Sequence, residues 1–191
     1  VIVIMIITFN ITITIYISCI IHACLAYSNA LDGFNVGAGS HVSSSTARNN
    51  ANHGFFLFSG SQLVDSTAYD NTADNIHARF GCSIINCTAR IAGANGIRAL
   101  GACLIENSLS QFATTAAISV GQACVVRNCV AINAADGIVT PGDASVNTSN
   151  HSALHASAAY VITHLQRPGK AAQDADSVLR GWPITPGERF A

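Results

Sequence analysis

The chain repeats itself about every 21 residues, and that period decides most of what it can fold into. Six consecutive copies align: "SCIIHACLAYSNALDGFNVGA" (18–38), "GSHVSSSTARNNANHGFFLFS" (39–59), "GSQLVDSTAYDNTADNIHARF" (60–80), "GCSIINCTARIAGANGIRALG" (81–101), "GACLIENSLSQFATTAAISVG" (101–121) and "GQACVVRNCVAINAADGIVTPG" (121–142). One aliphatic column reads Ile20, Val42, Leu63, Ile84, Leu104 and Val125, with spacings of 22, 21, 21, 20 and 21. A second column is Phe34, Phe55, Ile76, Ile97, Ile118 and Ile138. A unit this short, with period-two apolar alternation and no stretch long enough for a useful helix, is one coil of a parallel β-solenoid.

Within a coil the inward positions are an aliphatic (Ile84), small residues after it (Cys87, Ala89), and a pair (Ile97, Ala99) following the Asn95–Gly96 turn. That pattern predicts three short strands per coil. Coils stack about 4.8 Å apart, so equivalent residues form ladders. The corner position reads Thr46, Thr67, Thr88, Ser108, Cys129 and Cys24, preceded by Ser45, Ser66, Cys87, Asn107, Asn128 and Ala23. The turn before each Gly-Ile strand carries Asp32–Gly33, His53–Gly54, Asp74–Asn75, Asn95–Gly96 and Asp136–Gly137, residue types that accept positive φ or bond their own turn backbone. Only 10% of residues are charged and the net charge is -1, so no basic footprint for nucleic acid is present.

The segments "GSQLVDSTAYDN", "GCSIINCTAR" and "NGIRALG" resemble coils of right-handed parallel β-helix repeat proteins, the pectate-lyase-like group. The resemblance spans residues 18–155. It implies an all-β, single-stranded right-handed parallel β-helix of six to eight coils, a handedness that also follows the general crossover rule. Fold does not fix activity, because lyases, hydrolases, epimerases and non-catalytic proteins share this architecture.

The ends depart from the repeat. Residues 1–17 read as an apolar strand, cap or truncated upstream coil: Ile11, Ile13, Ile15 and Ile17 alternate with polar neighbours, and Ile13 and Ile15 lie 21 before Phe34 and Val36. Length and apolarity also fit a signal peptide or membrane helix, although β-branched residues dominate and a basic start is lacking. Residues 156–191 read as a capping strand ("YVITHLQ"), a short helix ("KAAQDADSVLRGW") and a tail. Seven cysteines without a CxxC pair are read as reduced packing residues, one disulfide or a metal site being the alternatives.

Chemistry belongs on the outward side of the strand after each turn. That row is Asn35, Phe56, His77, Arg98, Ser119 and Val139, with Phe58, Arg79 and Leu100 two residues further on. Phe56, Phe58, His77, Arg79 and Arg98, with Asp74 beside them, form an aromatic and cationic patch suited to sugar rings and uronate carboxylates; self-stacking between coils is the alternative. The reading is a non-catalytic, exported surface protein that binds polysaccharide, with a lyase, hydrolase or epimerase as the alternative. No paired carboxylates face one another, and "NTADN" and "NHGF" match polygalacturonase elements only superficially, so no catalytic residue is assigned. No cofactor is expected, calcium entering only with a lyase activity.

Overall fold

The computed structural model describes residues 18–140 in full, and strand backbone at 3–4, 13–15, 147–149, 152–154, 164–165 and 173–174. Residues 1–158 form one unit and 159–191 another. The first unit is an all-β solenoid of about six coils with three parallel sheets. The first sheet contains Ile20–His22, His41–Ser43, Gln62–Val64, Ser83–Ile85, Leu104–Glu106 and Val125–Arg127, with Val3–Ile4 and Asn147–Ser149 at its edges. The second runs from Leu25–Tyr27 through Thr46–Arg48, Thr67–Asn71, Thr88–Ala92, Leu109–Ala113 and Val130–Ile132 to Ser152–Leu154. The third runs from Ile13–Ile15 through Phe34–Val36, Phe55–Leu57, Ile76–Phe80, Ile97–Gly101 and Ala116–Gln122 to Asp136–Val139.

The Phe34 column stacks as its spacing requires: Ile13, Phe34, Phe55, Ile76, Ile97, Ile118 and Ile138 are successive partners. Phe34 and Phe55 lie ring on ring, with centroids 4.9 Å apart and planes within 6°. The aliphatic column of the first sheet differs from the sequence reading. Its buried members are Ile21, Val42, Leu63, Ile84, Ile105 and Val126, spaced by 21 throughout, whereas Ile20, Leu104 and Val125 sit one position to the outside. Adjacent aliphatics at 20/21, 104/105 and 125/126 left the choice open to a local pattern, and strand pairing settles it.

The corners follow one rule, repeated three times per coil: an exposed residue in left-handed conformation, then a small buried one. The left-handed residues are Gly39, Gly60, Gly81, Ala102 and Ala123 at the first corner; Ala23, Ser44, Asp65, Asn86, Asn107 and Asn128 at the second; and Ser28, Asn49, Asp70, Ile91, Phe112 and Asn133 at the third. The residues after them form three buried ladders. Cys19, Ser40, Ser61, Cys82, Cys103 and Cys124 make the first, and Cys24, Ser45, Ser66, Cys87, Ser108 and Cys129 the second. These replace the mixed Thr and Cys corner column expected from sequence; Thr46, Thr67 and Thr88 instead face outward beside Leu25, Leu109 and Val130.

In the second ladder serine and cysteine interchange because both make the same bond. Ser45 and Ser66 hydroxyls donate to the carbonyls of Ser43 and Val64 at 2.8 Å, and the Cys87 and Cys129 thiols donate to Ile85 and Arg127 at 3.2 and 3.3 Å. All seven cysteines are buried, and none is joined in a disulfide. The third ladder is Asn29, Asn50 and Asn71, then Ala92, Ala113 and Ala134. Asn29 and Asn50 donate from Nδ2 to the Oδ1 of the next asparagine at 2.8 Å, and Asn71 passes its Nδ2 to Asn75 Oδ1 at 2.7 Å. Where alanine takes over, a small alanine cluster fills the corner.

The glycines before the third sheet serve space rather than dihedral freedom. Gly33, Gly54 and Gly96 do not have positive φ. A Cβ on Gly54 would lie 2.5 Å from the Asn75 carbonyl oxygen and 2.7 Å from Asn71 Nδ2. Glycine therefore lets the turn lie against the asparagine ladder.

In the second unit, His164–Leu165 pairs antiparallel with Gln173–Asp174. The latter strand falls within the stretch read as a short helix; the remainder of that stretch lies outside the described residues. Among the described residues, no helix is long and apolar enough to cross a membrane.

Candidate functional site

In four successive coils a polar residue stands just before the strand of the third sheet: Asp32, His53, Asp74 and Asn95. The side chains of the first three cap the backbone one coil on. Asp32 Oδ1 accepts from the His53 N–H at 3.1 Å, His53 Nδ1 from the Asp74 N–H at 3.2 Å, and Asp74 Oδ1 from the Asn95 N–H at 3.0 Å. The capping role expected of the aspartates is thus real, but it serves the neighbouring coil. It also sets a tautomer: accepting an amide proton leaves Nδ1 of neutral His53 bare and puts its proton on Nε2.

Asp74 does more than cap. It is buried, and its Oδ2 accepts from His77 Nδ1 at 2.8 Å while Oδ1 also takes Asn95 Nδ2 at 2.8 Å. Burial acting alone raises the Asp74 pKa, but the bonds from His77 and Asn95 outweigh it and hold the carboxyl below its ordinary value. His77 Nδ1 is therefore the protonated nitrogen when the ring is neutral, and Nε2 is left with its lone pair. His53 differs again, because burial first and His77 second push its pKa down and keep it neutral. The two imidazoles lie 4.7 Å apart, and His53 Nδ1 is 3.7 Å from Asp74 Oδ2.

The outward residues singled out in the sequence do gather on this sheet. Phe56, His77 and Arg98 are successive Cα partners across three coils. Phe56 stacks on His77 at 4.9 Å and meets Phe58 edge-on at 5.4 Å, and the Arg79 guanidinium sits 5.2 Å above the Phe58 ring. Much of the aromatic surface is thus occupied by its own neighbours. Arg98 is exposed and has no ion pair or ring contact among the described residues.

The sequence reading placed His53 in a turn and missed it as part of the site. The available signal was its position, 21 before Asp74 and 24 before His77. Away from this sheet, Asp65 is a left-handed corner residue, and Glu106 accepts from the Arg127 guanidinium at 2.9 Å.

Several solved structures share this architecture. The A-module of the Azotobacter vinelandii mannuronan C-5 epimerase AlgE4 aligns with a TM-score of 0.55 and 14% identity over 75% of this chain and 55% of that one. The periplasmic alginate epimerase AlgG gives 0.54 and 10%, covering 76% of this chain and 45% of its own. Pectate lyase Pel9A gives 0.50 and 14%, covering 77% and 52%. The fold is the pectin-lyase-like β-helix. The chain spans about half the length of each of these proteins, and identity this low establishes shared fold alone. No protein-family model and no curated protein sequence matches the chain.

Proposed function

We propose that the outward strip of the third sheet binds an acidic polysaccharide, with uronate units lying across the Phe56, His77 and Arg98 coils. The observation that carries this is Arg98, an exposed guanidinium beside His77 with no ion pair among the described residues. A guanidinium fork suits a carboxylate, and the coil spacing offers one contact row per stacked strand. Because Phe56 and Phe58 are engaged with His77 and Arg79, carboxylate pairing contributes more than ring stacking. The structural neighbours named above act on alginate and pectate, both acidic polymers, which supports the same substrate class. Such polymers lie in cell envelopes and outside cells, so export of the chain belongs to the proposal.

A second reading rests on the 2.8 Å contact between Asp74 and His77. An aspartate that orients Nδ1 leaves Nε2 as a general base, and the C5 proton of a uronate, α to its carboxylate, is the acid such a base removes. Arg98 pairing with the carboxylate stabilises the resulting enolate. Return of a proton to the other face of C5 gives epimerisation, and loss of the C4 oxygen substituent gives elimination.

Calorimetric titration with polymannuronate, polygalacturonate and neutral dextran tests binding. Binding of a polyuronate and not dextran, weakened about tenfold by Arg98→Ala, which removes roughly one charge-assisted contact, is the expected result; equal affinity for dextran refutes it. Turnover is read by unsaturated-product absorbance, with and without calcium, and by deuterium uptake at C5 from D2O. Binding without either signal leaves a non-catalytic glycan-binding solenoid and removes the second reading.

A further inference from the structure

His53 is the residue that neither glycan binding nor a His77 base explains. It brings a second imidazole to a carboxylate that already holds one, and the three ligand atoms of His53, Asp74 and His77 lie within 4.8 Å of one another. We propose that these three side chains form a binding site for a single divalent transition-metal ion, with zinc as the best match.

The donor set selects the ion. Two imidazole nitrogens and one carboxylate oxygen suit zinc, nickel or cobalt, whereas calcium and magnesium prefer oxygen alone. Bonds of roughly 2.0–2.2 Å in a tetrahedral site separate ligand atoms by about 3.3 Å. The observed separations from Asp74 Oδ2, 2.8 Å to His77 Nδ1 and 3.7 Å to His53 Nδ1, lie on either side of that value. Shifts of about half an ångström bring these two pairs to that value, and the two imidazole donor atoms, which lie within 4.8 Å of each other, close by up to about 1.5 Å through their side-chain torsions. The other Asp74 oxygen is already fixed by Asn95 N–H and Nδ2, the outer contacts that orient a metal-binding carboxylate. Side-chain exposures of 15% at His53, 3% at Asp74 and 12% at His77 leave a narrow opening for a fourth ligand.

Proton accounting is straightforward. His77 Nδ1–H yields to the metal, and in the neutral ring the proton reappears on Nε2 through solvent. The Asp74 N–H gives up its 3.2 Å bond to His53 Nδ1. The loaded site therefore cannot use His77 as a base, so zinc is expected to suppress proton abstraction while sparing Arg98-dependent binding. Buried thiols are competing soft ligands, but no group of three that includes a cysteine meets the same spacing among the described residues.

The experiment is titration of the chelator-treated full chain with zinc chloride, with metal content measured after dialysis, and with cobalt chloride followed by visible absorption. One ion per chain is expected. His53→Gln, Asp74→Asn and His77→Gln should each weaken binding at least about tenfold, and Arg98→Ala should leave it unchanged. Long-range 1H–15N spectra of the unmutated chain give a second measurement that needs no variant: zinc should move the ring nitrogens of two of the seven histidines. Absence of binding, cobalt bands of thiolate type, calcium preferred over zinc, or shifts at the exposed His22 in place of these two overturns the proposal. Zinc binding without polyuronate binding leaves this site standing and removes the glycan reading; polyuronate binding without zinc does the reverse.

Discussion

Replacing Asn50 with alanine should be among the most damaging small changes in this solenoid, and the reason lies in the direction of its bonds. Asn50 is 1% exposed. Its Oδ1 accepts from both Asn29 N–H at 3.1 Å and Asn29 Nδ2 at 2.8 Å, and its Nδ2 donates to Asn71 Oδ1 at 2.8 Å. Asn50→Ala leaves two buried donors on Asn29 without their acceptor, while Asn71 Oδ1 keeps the Asn50 backbone N–H at 3.1 Å. A stranded buried group costs roughly 1–3 kcal/mol, so the pair gives about 2–6 kcal/mol.

Asn29→Ala strands nothing comparable. Asn50 Oδ1 keeps the Asn29 backbone N–H, and the Oδ1 lost from Asn29 has no partner among the described residues. That change should cost only about 1 kcal/mol. In the double variant one of the two stranded donors is itself removed, so its cost should fall below the sum of the single costs. Urea unfolding followed by circular dichroism gives the ranking. Amide exchange at residues 29 and 50 localises it, since coils of a solenoid can open separately. Equal midpoints for Asn29→Ala and Asn50→Ala, or strict additivity in the double variant, would refute the ladder's role.

Two further predictions concern corners. Ile91 is a β-branched residue at φ 52 and 49% exposed, in a column that also holds Ser28, Asn49, Asp70, Phe112 and Asn133; Ile91→Asn should stabilise by about 1 kcal/mol, seen as a higher melting temperature, and an unchanged or lower one counts against strain at that corner. Burial raises the Cys87 thiol from 9.0 to about 12, so the unfolded chain loses that proton first as pH climbs. Its contribution is intact below pH 9 and declines from there toward pH 12. Cys87→Ser, which places there the residue found at 45, 66 and 108, should flatten that alkaline decline in melting temperature; an identical pH profile would show that Cys87 does not cause it.

Much of the architecture could be read from residue order because a solenoid turns sequence period directly into stacking. Phe34, Phe55, Ile76 and Ile97 queue at 21-residue intervals and are neighbours in space for that reason alone. The patch of Phe56, Phe58, His77, Arg79 and Arg98 was legible on the same basis. Its self-contacts were not, since whether Phe56 presents its face to solvent or to His77 depends on rotamers. The serine and cysteine ladders were half legible: the small residues were visible, but a one-residue choice of corner is fixed by backbone conformation at Asp65, Asn86 and their counterparts.

The amino-acid order by itself determined the coil length, the parallel stacking and the sheet that carries the polar strip, because each follows from a repeat that one strand-forming unit can satisfy in only one way. Tertiary structure alone decided which of Ile20 and Ile21 faces the core, which nitrogen of His53 is bare, and that His53, Asp74 and His77 converge. Those outcomes depend on ångström-scale distances between neighbouring coils, and separations of 21 and 24 residues become contacts only once the coils have closed on one another.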